Sequence, residues 1–274
     1  MRIGVVAPSA RFSEEAAARV GEIAAADFPG AEIVFHPQCV LSDHHFAGPD
    51  AARRDALVEV ANDPDIDAIW FARGGYGSCR IAEDALARLK PVARDKTWLG
   101  YSDAGFLLAG LYRAGFPNVA HGPMPQDVMR DGGDATVTRA LAWLTKRDSQ
   151  ALEGKLKPGA AHAAFNITVL GQLLGTPLEP DLADHILLIE DVSEYAYATD
   201  RAMFHLTATP AIRRVAGIRL GRVNDVRPND PDFGEGAEAI VKRWCARVGI
   251  PFLGPADIGH DSVNKVVPFG VHPL

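Results

Sequence analysis

A serine sits in the run Gly100-Tyr101-Ser102-Asp103-Ala104-Gly105, between an apolar stretch and a helical pattern. The spacing is close to the nucleophile elbow G-x-S-x-G, with Ala104 where the second glycine would stand. A sharp strand-to-helix turn would lift the Ser102 hydroxyl toward solvent. It would also leave backbone N–H groups at a helix N-terminus, where they can stabilise an oxyanion. The same serine could serve only as the N-cap of the helix that follows. On the motif alone both readings stand.

A second glycine turn, Ala72-Arg73-Gly74-Gly75-Tyr76-Gly77-Ser78, follows another apolar run. It is not a dinucleotide fingerprint, because Arg80 occupies the third glycine position when counted from Gly75. It is not a P-loop either, because the Gly-Lys-Ser/Thr ending is missing. What remains is a loop with several free N–H groups and one fixed cation, Arg73. Such a loop can supply an oxyanion donor or hold a substrate carboxylate. Arg73 and Tyr76 are therefore candidate substrate contacts. The bland alternative is a tight connection with Arg73 in a structural ion pair.

An activated serine needs a base within hydrogen-bond reach, and the base needs a carboxylate to orient it. His260, in Gly259-His260-Asp261, occupies a polar turn before the apolar stretch Lys265 to Phe269, which suits proton transfer. His121, in Ala120-His121-Gly122-Pro123-Met124, is the rival. His44 and His45 read as solvated loop residues, and His205 as a packing residue on an amphipathic helix. For the acid, Ile186-Leu187-Leu188-Ile189-Glu190-Asp191 ends a very apolar strand in two carboxylates. Glu190 is the natural orienter, and Glu194, four residues on, stays open. Each acid can also be a solvated charge at a strand end.

The elements that would carry these residues alternate. Strands are predicted at Ile3–Ala7, Glu32–Phe35, Ile66–Phe71 and Trp98–Tyr101. Helices are predicted at Glu14–Ala26 with Ser13 as N-cap, Ala51–Asn62, Ile81–Leu89 and Ala104–Ala114. Such alternation implies an α/β fold with a parallel sheet, whose ligand sites gather at the carboxyl ends of the strands. The pattern weakens over 146–164. It resumes with strands at His185–Ile189, Gly217–Val223 and Lys265–Phe269 and helices at Thr199–Ala208 and Glu235–Arg247. We therefore expect a first domain over 1–150 carrying Ser102, a linker over 151–164, and a second domain over 165–274 carrying Glu190 and His260.

The 274 residues, 47% hydrophobic and 23% charged, are enough for a substantial core. The net charge of −7 speaks against a nucleic-acid binder, which would need basic clusters. Three scattered cysteines, Cys39, Cys79 and Cys245, suggest neither zinc nor a redox dithiol, and fit free thiols in a reducing compartment. The apolar run near the N-terminus is too short for a signal peptide, and nothing is long enough to span a membrane. A cytoplasmic protein is expected.

Taken together, these segments resemble the serine LD-carboxypeptidase family, which includes the murein tetrapeptide LD-carboxypeptidases and the microcin C self-immunity peptidases. The likeness runs through Val5-Val6-Ala7-Pro8-Ser9, both glycine-containing turns, His121-Gly122-Pro123-Met124 and Leu173-Leu174-Gly175-Thr176-Pro177. It continues through Ile189-Glu190-Asp191, Asp200-Arg201, Gly217-Ile218-Arg219-Leu220-Gly221, Gly259-His260 and Val267-Pro268-Phe269-Gly270. The resemblance implies a Ser102–Glu190–His260 triad and an oxyanion hole from the N–H groups of Gly75 and Asp103. It implies an N-terminal Rossmann-like domain, a smaller β-rich C-terminal domain and a homodimer, with no metal or cofactor. The expected activity is release of a terminal D-amino acid from a muropeptide in peptidoglycan recycling. A peptidase detoxifying a peptidyl-nucleotide antibiotic, or a non-catalytic small-molecule binder, are the alternatives. Two features depart from the family pattern. Ala164-Phe165-Asn166-Ile167 stands where Gly-Gly-Asn-Leu is common, and the sequence runs only four residues past Gly270.

Overall fold

Burial explains the first half of the chain element by element in the computed structural model, which describes residues 1–272. Strand β1 (Arg2–Val6) is apolar on both faces because helices cover both sides of its sheet. Helix α1 (Glu14–Asp27) is capped by Ser13, whose Oγ accepts the Ala16 N–H at 3.1 Å, and it buries Ala16, Val20 and Ala24 along one stripe. There follow β2 (Glu32–Phe35), α2 (Asp50–Asn62), β3 (Ala68–Phe71), α3 (Ala82–Leu86), β4 (Thr97–Gly100), α4 (Gly105–Arg113), β5 (Val119–His121) and α5 (Gly133–Lys146).

The second half holds β6 (Ala161–Asn166), α6 (Ile167–Leu173), β7 (Ile186–Val192), α7 (Ala196–Ala208), β8 (Gly217–Asn224), α8 (Ala237–Val248) and β9 (Phe252–Pro255). Two short strands, β10 (Val267–Pro268) and β11 (Gly270–Val271), follow. The first sheet has the order β10-β5-β4-β3-β1-β2 and the second β11-β6-β7-β8-β9. All pairings are parallel except those of β10 with β5 and β11 with β6. The fold is thus α/β, with a parallel sheet in the first half and a second sheet in the C-terminal region.

Several elements differ from the sequence reading. Strand β6 begins inside the stretch expected as a linker. The stretch expected as one strand, Lys265–Phe269, is instead two short strands. Gly270, at φ 81°, turns the chain there, so that Val267 pairs with His121 of one sheet and Gly270 with His162 of the other. Residues 267–271 therefore stitch the two sheets together. Apolar side chains join them as well: Phe71, Trp98 and Leu107 share one core with Phe165, Leu187 and Met203. No helix among the described residues is long and apolar enough to cross a membrane.

Candidate active site

Strand β4 stops at Gly100, and the chain turns sharply through Tyr101 and Ser102 into α4. Ser102 sits at φ 58°, in the left-handed region that a residue with a Cβ rarely occupies. Strain of this kind, of order 1–3 kcal/mol, persists only where the surroundings enforce it. Here a buried neighbour does so. The Tyr101 hydroxyl donates to Asp127 Oδ1 at 2.8 Å, and its ring lies between the imidazoles of His121 and His260, at centroid distances of 5.4 and 4.8 Å.

The Ser102 Oγ lies 3.0 Å from His260 Nε2, and His260 Nδ1 lies 2.6 Å from Glu190 Oε2. Three side chains separated by up to 158 positions thus form one hydrogen-bonded line. Glu190 is wholly buried near the carboxyl end of β7, beside Asn166 of β6. The turn bearing His260 is pinned at both backbone groups. Its N–H donates to Asn224 Oδ1 at 2.9 Å, and its carbonyl accepts from Arg130 Nη1 at 2.8 Å. Burial works to lower the His260 pKa, but the charge of Glu190 and its hydrogen bond outweigh burial, so the net shift is upward. Such a line can draw a proton from the serine as it attacks and stabilise the resulting imidazolium.

The glycine turn after β3 faces the serine. Gly74 passes directly beside Ser102, and Gly75 and Gly77 take φ values of 107° and 134°, which a side chain would resist. The Asp103 N–H is among the first of its helix and has no intrahelical acceptor to reach. The Asp103 carboxylate is buried, and burial raises its pKa despite hydrogen bonds from Ser9 and Ser78.

Two cavities meet at Ser102 and Gly75. The smaller, about 280 Å³, is walled by Arg73, Met124, Gln126, Arg130 and His260. The larger, about 550 Å³, extends past Tyr76 and Phe106 to Asn166, Asp191 and Glu194. The Asp191 carboxyl is pushed up to about 6, chiefly by burial and further by the charge of Glu190. Asp127 also lines the small cavity and pairs with Arg130 at 2.9 Å, so two arginines face one carboxylate there, while the carboxylates Glu83, Asp103, Asp191 and Glu194 line the large one.

Ser102, Glu190 and His260 are brought together, with Gly75 and Asp103 beside them. Arg73 lines the small cavity and donates to the Arg11 carbonyl at 3.1 Å; half-exposed Tyr76 lines the large one. Glu194 lines the large cavity, while Glu190 carries the contact with His260. His121 is buried, with its Nε2 3.3 Å from Asn264 Oδ1, and burial pushes its pKa down to about 4. Sequence reasoning missed Arg130, Asp127 and Asn224. None stands in a motif that the spacing singles out, and each acts across a distance in sequence. Among the described residues no group of three or more His, Cys, Asp or Glu is placed to hold a metal.

Comparison with known proteins finds relatives over most of the sequence. The LD-carboxypeptidase N-terminal domain matches residues 3–122, and the LD-carboxypeptidase C-terminal domain matches residues 162–273. A Synechocystis protein named as a carboxypeptidase is 31% identical over 98% of this chain and 89% of its own. The murein tetrapeptide carboxypeptidase of Pseudomonas aeruginosa is 28% identical over 82% of this chain and 78% of its own. Among solved structures, muramoyltetrapeptide carboxypeptidase from Oxalobacter formigenes superposes with a TM-score of 0.79 at 24% identity, covering 97% of this chain and 93% of that one. Microcin C7 self immunity protein MccF, in complex with aspartyl sulfamoyl adenosine, also gives 0.79, at 21% identity over 98% and 91% of the two chains. These two likenesses speak for the fold; the two domain matches, which together span most of the sequence, make the chain a carboxypeptidase of the LD-carboxypeptidase family.

Proposed function

We propose that this carboxypeptidase releases a terminal D-amino acid from a murein peptide by serine catalysis. The observation that carries the reading is the line Ser102–His260–Glu190, set where the two cavities meet. Ser102 Oγ attacks the carbonyl carbon of the last peptide bond while His260 Nε2 takes its proton. Glu190 holds the imidazolium. The N–H groups of Gly75 and Asp103 receive the oxyanion, each worth about 3 kcal/mol in sites of this type. The tetrahedral species collapses as His260 passes its proton to the leaving amine. Water, deprotonated by His260, then cleaves the acyl-enzyme and frees Ser102.

The charge of the two cavities supports a direction for the substrate. A C-terminal residue has a free carboxylate, and Arg73 and Arg130 stand in the small cavity. The remainder of the peptide then lies in the large one. The names of the relatives support murein as the peptide's source. The domain division over 1–150 and 165–274, a homodimer and a cytoplasmic place in peptidoglycan recycling belong to the same proposal. The three free cysteines fit the reducing compartment.

The test is incubation with tetrapeptides carrying L-lysine or meso-diaminopimelate at position three, with mass spectrometry for loss of D-alanine. Wild-type protein should release it, and Ser102→Ala should not, at a nearly unchanged thermal midpoint. Release by Ser102→Ala would sink the serine mechanism. No release from either peptide by the wild type would sink the substrate.

A further inference from the structure

Two N–H groups that receive one oxygen must be held at a fixed separation. Gly75 and Asp103 belong to different loops, one after β3 and one after β4, and the backbone alone does not tie them. The side chain of Asp103 does. Its Oδ2 accepts the Ser9 hydroxyl and also the Ser78 N–H at 2.8 Å. Ser9 is followed by Ala10, whose N–H donates to the Gly74 carbonyl at 3.3 Å. The Ala10 methyl is so placed that a Cβ on Gly75 would lie 2.9 Å from it. At the other end of the turn, the Ser78 hydroxyl donates back to the Asp103 carbonyl.

Asp103 therefore grips the glycine turn at both ends, at Gly74 through Ser9 and Ala10, and at Ser78 directly. Between those ends Gly75 and Gly77 have no side chains to fix their path, and both take backbone angles open chiefly to glycine. Buried Arg53 also donates to the Gly77 carbonyl at 2.9 Å, which holds the far part of the turn, so the Asp103 anchors bear chiefly on the stretch from Gly74 through Gly75. The carboxylate itself is only 3% exposed and has no ion-pair partner among the described residues. An arrangement that costs free energy of desolvation calls for a compensating role.

We propose that the Asp103 side chain is a positioning residue that sets the spacing of the Gly75 and Asp103 N–H groups for the oxyanion. It acts through those two N–H groups, not on the reacting atoms directly. The inference rests on the reading of those two N–H groups as oxyanion donors.

Asp103→Asn keeps the backbone N–H and removes the charge that gathers Ser9 and Ser78; Ser9→Ala loosens one anchor only. Each should be measured for kcat, KM and affinity for a peptide boronic acid whose boron replaces the scissile carbonyl carbon. Boron accepts the Ser102 oxygen, His260 taking the proton, and becomes a tetrahedral anion that needs the same two donors. We expect kcat to fall about 100-fold in Asp103→Asn, the loss typical of one oxyanion donor, and about 5-fold in Ser9→Ala. KM should stay within about twofold, since only transition-state binding is touched. Boronate affinity should fall by the same factor as kcat/KM, and the acid limb of the pH profile should not move. Unchanged boronate affinity in folded Asp103→Asn overturns the inference, as does a displaced acid limb, which would mean action through His260. If Asp103→Asn does not fold, Ser9→Ala decides by the same readouts. Failure of the underlying reading looks different: Ser102→Ala would then remain active, and the inference falls with it.

Discussion

The backbone of Gly74 runs so close to Ser102 that a Cβ on Gly74 would lie 2.9 Å from both the Cβ and the Oγ of Ser102. Nothing softer than the nucleophile itself is there to yield. Gly74→Ala should therefore displace the hydroxyl from His260 while leaving the sheet intact. Displacements near 1 Å can cost about 100-fold in rate, and we expect a kcat loss of that order. Steady-state kinetics beside a thermal melt will check it; a fully active Gly74→Ala would contradict the contact.

The pH dependence follows from Glu190. His260 accepts a proton only when neutral, so kcat/KM rises as pH climbs through its pKa. Glu190 holds that pKa above the ordinary value of 6.5, so the acid limb should lie above pH 6.5. Glu190→Gln removes the charge and should move the limb to lower pH, while reducing kcat. Glu194→Gln should leave the limb in place. A larger loss of activity at Glu194 would transfer the orienting role to it.

Arg73 is the cation of the small cavity with the fewest other duties. Arg73→Ala should raise KM about 10- to 100-fold, the loss expected of a charge-assisted hydrogen bond of about 1.5–3 kcal/mol, with kcat little changed. A substrate whose terminal carboxylate is amidated should be equally poor for both proteins. Arg130→Gln should lower kcat as well, because Arg130 also holds the His260 carbonyl. Comparing free-acid and amide peptides on both variants tests the assignment; an Arg73→Ala penalty that persists with the amide refutes it.

A buried ion pair supports the site from behind. Glu153 receives both ends of the Arg219 guanidinium, at 2.6 and 2.8 Å, and also the Asp257 N–H at 3.2 Å, three residues before His260. Glu153→Ala leaves Arg219 buried without its charge partner and should destabilise the fold by about 3–5 kcal/mol. Burial pushes the Glu153 pKa up, but its hydrogen bond to Arg219, helped by the Lys155 N–H, more than reverses this and sets it below the ordinary 4.5. A carboxyl whose folded pKa is depressed contributes fully above its unfolded pKa and loses that contribution as pH falls through the folded value. Urea midpoints should therefore drop below pH 4.5 in the wild type, and drop less in Glu153→Ala.

How much of this could be read in advance depended on where each residue stands. Ser102, Gly75 and Glu190 lie at or just past the carboxyl ends of strands, and such ends show in the one-dimensional pattern because an apolar run stops there. His260 stood out as a histidine in a polar turn. Arg130, Asp127 and Asn224 could not be read in the same way. Arg130 meets the His260 carbonyl across 130 positions, and no local spacing encodes such a meeting. The strand Ala161–Asn166 hid for another reason: Ala-His-Ala-Ala-Phe-Asn has no β-branched residue, and its pairing with β7, not propensity, makes it a strand. The helix Gly133–Lys146 carries Val137, Ala140, Leu141 and Leu144 at helical spacing, but the glycines at its start obscured it.

The two short strands around Phe269 give the turn at Gly270 a second role. His260 stands seven residues before Val267, so the segment that carries the base also carries the join between the sheets. Whatever loosens that join slackens the hold on the imidazole. The spacing of nucleophile and base is only as firm as the fit of one sheet to the other.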